Sequence, residues 1–124
     1  MTLRTGILAA ACAAFAVSAL ADTLPDAPHD TLQEVLPSGD TALVLRYIVA
    51  DLPALGYAGT TPWMDALCTR DGLPVWTGLA APRPDEIVIV LMDRAVPRGQ
   101  PDPDATQYIA AYLPDPEEGA CQWL

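Results

Sequence analysis

The strongest constraint on the fold is an uninterrupted run of six apolar residues, 87–92, with the sequence Ile-Val-Ile-Val-Leu-Met. The run is rich in β-branched residues and is too short for a typical helix, which favours a strand. Because the run has no polar face, such a strand must be covered on both sides. We therefore predict that residues 86–93 form the central strand of a sheet.

Two further segments, 31–36 and 41–50, flank a Pro-Ser-Gly-Asp tetrapeptide at 37–40. Proline and glycine supply the backbone angles of a tight turn, so the two segments are predicted to pair as a β-hairpin. Residues 42–50 of the second segment are apolar on both faces except for Arg46. We expect this side chain to lie at the sheet margin with its charged end in solvent, and a buried functional arginine is the alternative.

The connection to the central strand is predicted to be helical in its second half. Residues 51–60 contain a proline and two glycines and are expected to form a loop. Thr61 would then cap a helix that has Pro62 at its first position, where a missing N–H costs nothing. Gly72 would end this helix, and a second short helical stretch after a kink is predicted at 73–81.

The last third of the chain predicts two more strands. Residues 94–105 contain three prolines and a glycine and are expected to form a long irregular loop. Residues 106–113 alternate as a strand does, and a turn at 114–119 leads into a final strand at 120–124. The order predicts an α+β domain, with a small, mainly antiparallel sheet of four to five strands and one kinked helical layer.

The first 21 residues have the pattern of a secretory signal peptide. One arginine precedes an apolar stretch of about 12 residues, and an Ala-x-Ala sequence ends at Ala21. The stretch is too short to span a bilayer, so we expect cleavage after Ala21, a periplasmic or secreted protein and no stable membrane insertion. Residues 22–30 would form a flexible acidic tail and 31–124 a single domain. Lipidation at Cys12 remains an alternative, because residues 8–12 resemble a lipoprotein cleavage site.

Removal of the leader would leave two cysteines, Cys68 and Cys121. An even pair in an oxidising compartment predicts a disulfide, which would join the helix to the last strand. Two free, buried thiols are the alternative.

The charge balance excludes some classes of partner. The chain has sixteen acidic residues, six arginines and no lysine, with a net charge of −10. Because no basic patch is present, nucleic acid is not an expected ligand, and anionic membrane surfaces are disfavoured. Strong negative charge also favours a soluble monomer.

Nucleophilic catalysis and cofactor binding have little support in the sequence. His29 is the only histidine and lies in the predicted tail, whereas Ser38 lies in the hairpin turn. No glycine-rich phosphate loop is present, and no cofactor is expected. Whether the protein is an enzyme stays open, because Asp93 with Glu86 or Asp104 could form a carboxylate pair for glycoside hydrolysis.

A polar cluster at the end of the central strand is the predicted ligand or partner site. It comprises Asp93, Arg94, Arg98, Gln107 and Tyr108, which flank the long loop. The cluster could orient a small polar ligand or a partner peptide, because long loops often carry function. The alternative is that Asp93 and Arg94 only satisfy the backbone groups of the loop.

The same loop offers weak candidates for a metal site. Asp102 and Asp104, together with Asp93, could supply oxygen ligands to Ca²⁺. The neighbouring prolines constrain this backbone, and no EF-hand spacing is present. A solvated acidic loop is the alternative interpretation.

Two short motifs carry a resemblance to a known family. They are Asp-Arg-x-Val-Pro-x-Gly at 93–99 and Asp-Pro-x-Ala-Thr-Gln-Tyr at 102–108, followed by a closing Cys-Gln-Trp at 121–123. The chain resembles a family of short, exported bacterial proteins of unknown function over nearly its whole length after the leader. The name acetolactate synthase has been attached to such proteins, but that chemistry needs a much larger chain to enclose its cofactor. The resemblance therefore implies a shape and a compartment without an activity.

These observations predict an exported, disulfide-stapled binding or interaction module. Its partner would be a protein or a small molecule. A small carboxylate-based hydrolase or a calcium-binding protein is the alternative.

Overall fold

The computed structural model describes residues 24–124. The predicted signal peptide and the alternative lipidation site at Cys12 lie outside the described residues. Within residues 24–124, no helix has both the length and the apolar character that a membrane span requires.

Five strands form a single sheet in this part of the chain. They are β1 (Asp30–Val35), β2 (Thr41–Ile48), β3 (Glu86–Met92), β4 (Gln107–Asp115) and β5 (Ala120–Trp123). The strands lie side by side in chain order, so β3 is the middle strand, as its apolar sequence predicts. Only β2 and β3 are parallel, and the other three pairs are antiparallel. The predicted hairpin and the mainly antiparallel sheet are both confirmed.

A helical crossover connects the two parallel strands. It consists of α1 (Leu52–Leu67), a π-helical segment (Cys68–Gly72) and α2 (Leu73–Gly78). Parallel neighbours require such a long connection, and here it forms one layer on one face of the sheet. The fold is therefore the α+β domain that the sequence predicts. The main core lies between the layers and includes Leu43, Leu45, Tyr47, Met64, Leu67, Ile87, Ile89 and Leu91.

The start of the helical layer differs from the prediction. Residues 51–60 are not a loop, because α1 begins at Leu52 and is kinked at Gly56, whose backbone has φ 75° and ψ 162°. Glycine adopts this positive φ without steric strain. Thr61 is therefore not an N-cap, and Pro62 lies inside the helix. Pro62 has no N–H for the carbonyl of Ala58, and the Thr61 hydroxyl donates to that carbonyl instead, at 3.1 Å.

Gly72 does not end the helix as predicted. Its backbone angles are right-handed helical, φ −68° and ψ −49°, and the chain continues directly into α2. The glycine matters for packing instead of capping, because a Cβ atom at this position would lie 3.0 Å from Cγ2 of Ile87 on β3. The missing side chain therefore permits a close approach of the helical layer to the middle strand.

Three side-chain links hold the helical layer on the sheet, from positions 65, 68 and 71. They are the hydrogen bonds Tyr112–Asp65 and Tyr47–Asp71, both 2.7 Å long, and the disulfide Cys68–Cys121. The predicted disulfide is thus confirmed, and it joins the helical layer to the terminal strand. The three linking residues of the helical layer are spaced three positions apart, so they lie on the same side of it.

The opposite face of the sheet is covered in part by the loop between β3 and β4, residues 93–106, which we call the β3–β4 loop. Val96 of this loop is buried, and its carbonyl accepts a 2.6 Å hydrogen bond from Nη1 of Arg46. Arg98 reaches across to β1, where its Nε donates to Oε2 of Glu34 at 2.9 Å. The loop therefore crosses the sheet from the middle strand to the edge.

The expectation that Arg46 extends into solvent is wrong. The residue is only 4% exposed. Asp30 lies directly opposite on β1 and accepts two hydrogen bonds from the guanidinium. A buried cation is tolerated when its donors are satisfied in this way.

Residues 24–29, part of the segment expected to be a flexible acidic tail, contact the domain at several points. Leu24 packs against the main core. Nη2 of Arg70 donates to the carbonyl of Pro25 at 2.7 Å, and the His29 N–H donates to the carbonyl of Arg46 at 2.7 Å. β1 then begins at Asp30.

Candidate functional site

Asp93 and Arg94, two members of the predicted polar cluster, lie at the base of the β3–β4 loop. Asp93 Oδ1 accepts a 3.0 Å hydrogen bond from the N–H of Thr106, and the Asp93 N–H donates to the Thr106 carbonyl at 3.0 Å. Arg94 donates to both carboxylate oxygens at 3.2 Å. These hydrogen bonds hold the pKa of Asp93 below its usual value, chiefly through Arg94. The contacts close the loop, which is the structural role considered above.

Arg98 and Gln107 are brought together, whereas Tyr108 is separated from them. The first two line a polar cavity of about 210 Å³, which Arg46 also lines. Tyr108 packs against the main core on the helical side of the sheet, and its ring meets that of Tyr57 edge-on at 5.4 Å between centroids. Successive strand residues face opposite sides, so adjacent positions 107 and 108 cannot share one site. The predicted cluster thus divides into separate regions.

The two charged side chains that line the cavity beside Arg98 are already paired. Arg98 is paired with Glu34, and the pKa of Arg46 is raised by its hydrogen bonds to Asp30. Both guanidinium groups are therefore occupied by carboxylates from β1. An anionic ligand at this position would have to displace one of those carboxylates.

The candidate metal ligands form no cluster in the described residues. Asp102 Oδ1 accepts a 3.1 Å hydrogen bond from the N–H of Asp104, a local turn. Across residues 24–124, no group of three or more histidine, cysteine or acidic side chains is placed to hold a metal ion.

One of the suggested catalytic pairs, Glu86 with Asp93, is far apart in the fold. Glu86 begins β3 and Asp93 follows its other end, a span of roughly 23 Å at about 3.3 Å per residue. Glycosidase carboxylates lie at most about 9.5 Å apart, so these two do not form such a pair. His29 and Ser38 likewise lie beyond opposite ends of β1.

A larger concave site, missed by the sequence reasoning, lies at the carboxyl end of β2, and we call it the β2-end cleft. Its volume is about 430 Å³. The lining residues come from the segment before β1, the end of β2, and α1. They are Pro25, Ile48, Val49, Ala50, Asp51, Leu55 and Trp63.

The wall of the β2-end cleft is mainly apolar and open to solvent. Ile48 is 40% exposed and Leu55 38% exposed, whereas Trp63 is partly buried against the main core. Asp51 is the only charged residue of the lining. Its side chain makes no hydrogen bond or ion pair to any residue between 24 and 124. Ligands of α/β sheets commonly bind beyond the carboxyl ends of parallel strands, and β2 is one of the parallel pair here.

Local sequence patterns do not reveal this cleft, because the proline and glycines of residues 51–60 predict a loop there. The sequence signal for a helix here is the three-residue spacing of Leu52 and Leu55. In the structure Leu52 is buried in the core and Leu55 lines the cleft. The proline and the two glycines in the same segment favour a loop and conceal this helical spacing. The contribution of Pro25 follows only from the tertiary fold.

Comparison with known proteins identifies a family without a described activity. No curated protein and no solved structure matches the chain. A family model, described as a family of unknown function (DUF6497), matches residues 7–124. This agrees with the resemblance to an uncharacterised family that the motifs carry. Because the match spans nearly the whole sequence, the chain belongs to this family of unknown function.

Proposed function

We propose that the protein is an exported binding module whose ligand or partner site is the β2-end cleft. The observation that carries this proposal is a concave, mainly apolar site with one carboxylate at its wall. Binding sites for small ligands are typically concave, apolar and of about 300–1,000 Å³, with a few polar groups that orient the ligand. The cleft matches that description better than the polar cavity beside Arg98, whose charged groups are already paired.

The disulfide supports the proposed compartment. Bonds of this kind persist in oxidising compartments and are rare in the reducing cytosol. Cys68 of the π-helical segment is fully buried, and its partner Cys121 lies on the edge strand β5. The leader-like sequence at residues 1–21 points the same way.

Export can be tested by expressing the full chain in a Gram-negative host and measuring the intact mass of the protein from each cell fraction. We expect the periplasmic fraction to contain a chain that begins at Asp22 and has no free thiol. Recovery of uncleaved protein from the cytoplasm with all three cysteines as free thiols would overturn the proposed compartment. A lipid-modified Cys12 in the membrane fraction would replace it with an anchored form.

The site can be tested by NMR with isotope-labelled, oxidised protein and a library of small fragments. We expect the amide shifts to concentrate at the β2-end cleft, around residues 48–51, 55 and 63. Ala50→Trp should fill the cleft and abolish these shifts, whereas Ala58→Trp, an exposed α1 position outside the lining, should leave them intact. Shifts around Arg98 and Gln107 instead would overturn the cleft as the site and favour the polar cluster.

A further inference from the structure

We infer that the β2-end cleft selects ligands that carry an ammonium or guanidinium group on an apolar, preferably aromatic, body. This inference rests on the proposed function and names the chemical class of the ligand. The cation would pair with Asp51, and the apolar body would lie against Ile48, Leu55 and Trp63.

Four acidic residues of the described chain are paired with arginines, and Asp51 is not one of them. Glu34, Asp30, Asp71 and Asp93 each form an ion pair with an arginine. Asp51 has no such partner in the described part of the chain, although it lines a cavity. A carboxylate there can accept charge-assisted hydrogen bonds from a ligand, which are stronger than neutral ones.

The first turn of α1, which borders the cleft, offers no free donors to an anion. The N–H of Leu52 donates to the carbonyl of Val49 at 3.0 Å, and Pro53 has no N–H. The N–H groups of Ala54 and Leu55 both donate to the carbonyl of Asp51, at 2.9 and 3.2 Å. A carboxylate or phosphate ligand would therefore meet the Asp51 charge without donors from this turn to offset it.

An arginine that contacts the cleft lining does not cancel this preference. Arg70 contacts the cleft-lining Pro25 through the backbone carbonyl, and the same Nη2 donates to Asp71 at 2.7 Å. Its charge is thus shared with a carboxylate outside the lining. The net charge of −10 also draws cations toward the surface.

The apolar lining sets the second half of the specificity. A volume of about 430 Å³ accommodates one aromatic ring with a short side chain. Trp63 provides an aromatic surface that attracts both ring systems and cations. Burial of the partly exposed Ile48 and Leu55 side chains would add hydrophobic stabilisation.

The experiment compares ligands of similar shape and different charge: 2-phenylethylamine, 2-phenylethanol and 3-phenylpropionate. Dissociation constants come from NMR titration of the oxidised protein, followed at the amides of residues 48–51 and 55. We expect the amine to bind about threefold to fivefold more tightly than the alcohol, the gain from an ion pair with an exposed carboxylate, and the acid to bind least. Added salt should weaken the binding of the amine until its dissociation constant approaches that of the alcohol. Salt should not weaken the binding of the alcohol or of the acid.

Asp51→Asn is the decisive variant, with Asp40→Asn as its matched control. Both remove one carboxylate next to β2, but Asp40 precedes the strand and lies outside the cleft lining. We expect Asp51→Asn to remove the preference for the amine and Asp40→Asn to keep it. Retention of the preference in Asp51→Asn would overturn the inference.

The outcomes separate this inference from the proposed function. If amine and alcohol bind the cleft equally, the ligand class is wrong and the cleft remains a binding site. If no probe shifts the cleft amides, both proposals are overturned. Acetyl-Phe-Lys-amide tests the source of the cation: tighter binding than the free amine supports a protein side chain, and weaker binding supports a small-molecule amine.

Discussion

Arg46 and Asp30 lie directly opposite each other on β2 and β1 and form a two-point ion pair beneath the β3–β4 loop. The third arm of the guanidinium donates to the carbonyl of Val96 in that loop. One buried side chain therefore stabilises both the register of the hairpin and the position of the loop. This makes Arg46 a structural residue of the sheet face opposite the helical layer.

Arg46→Met should strongly destabilise the protein. The loss should be about 2 kcal/mol, because the Val96 carbonyl under the loop and Asp30, whose side chain is 37% exposed, both lose their donors. Urea unfolding of the oxidised protein gives the free energy. Arg98→Met is the control, since its pair with Glu34 is partly exposed and is worth less than about 1 kcal/mol. Equal losses for the two variants would contradict the structural role of Arg46.

Stability should fall in acid through the paired carboxylates. The hydrogen bonds from Arg46 hold the pKa of Asp30 below its usual value. Burial raises the pKa of Asp71, but hydrogen bonds from Arg70 and Tyr47 outweigh it and the net pKa is lowered. A lowered native pKa gives stability that is present above the unfolded value of about 3.9 and is lost as pH falls through the native value.

The acid prediction is checked by urea unfolding as a function of pH. The midpoint should stay level near neutrality and decline below about pH 4. Arg46→Met removes the contribution of Asp30, so its acid decline should be shallower. A decline as steep as that of the unaltered protein would show that Asp30 does not contribute.

Stability should also fall in strong alkali through two buried tyrosines. Burial raises the pKa of Tyr47 and Tyr112, and their hydrogen bonds to Asp71 and Asp65 raise it further. A raised native pKa means that this stability is fully present below the unfolded value of about 10 and is lost as pH rises above it.

The double variant Tyr47→Phe, Tyr112→Phe should lose about 1 kcal/mol per hydroxyl at neutral pH and show a weaker alkaline decline. Urea unfolding between pH 8 and about pH 11 measures both effects. Tyr57→Phe, at an exposed ring, is the control and should retain the alkaline slope. An unchanged slope in the double variant would assign the decline to other groups.

Removal of the disulfide should lower stability without changing the fold. The bond closes a sequence separation of 53 residues, which corresponds to about 4 kcal/mol from the restricted unfolded chain. Cys68→Ala, Cys121→Ala should unfold at a correspondingly lower urea concentration, with a similar circular dichroism spectrum before the transition. A midpoint equal to that of the oxidised protein would contradict this contribution.

Two glycine-to-alanine substitutions should have opposite effects. Gly72→Ala places a methyl group 3.0 Å from Ile87, and such overpacking costs about 1–3 kcal/mol. Gly59→Ala meets no neighbouring atom within 4 Å and replaces a helical glycine, so it should stabilise by up to about 1 kcal/mol. Thermal melts of both variants test the sign. Stabilisation by Gly72→Ala would show that the layers can separate without cost.

Local sequence patterns predicted most of the sheet. The run at 87–92 had no polar face and therefore had to be central, and the turn at 37–40 placed the hairpin. The start of the helix was wrong for a physical reason. Gly56 permits a kink that leaves helix on both sides, and the Thr61 hydroxyl replaces the hydrogen bond that Pro62 cannot make. Such compensation depends on geometry that residue propensities do not contain.

The sequence by itself predicted the fold class, the middle strand and the Cys68–Cys121 disulfide. The first two follow from the local apolar pattern, and the third follows from the even pair of cysteines that remains once the predicted leader is removed. Only the tertiary structure decided the burial of Arg46, the separation of Tyr108 from Gln107 and the location of the β2-end cleft. These features depend on which distant segments meet: β1 supplies the counter-charge, and the pleat of β4 divides the predicted cluster. The cleft is enclosed by α1 and by the segment that precedes β1, because packing of the helical layer brings both to the end of β2.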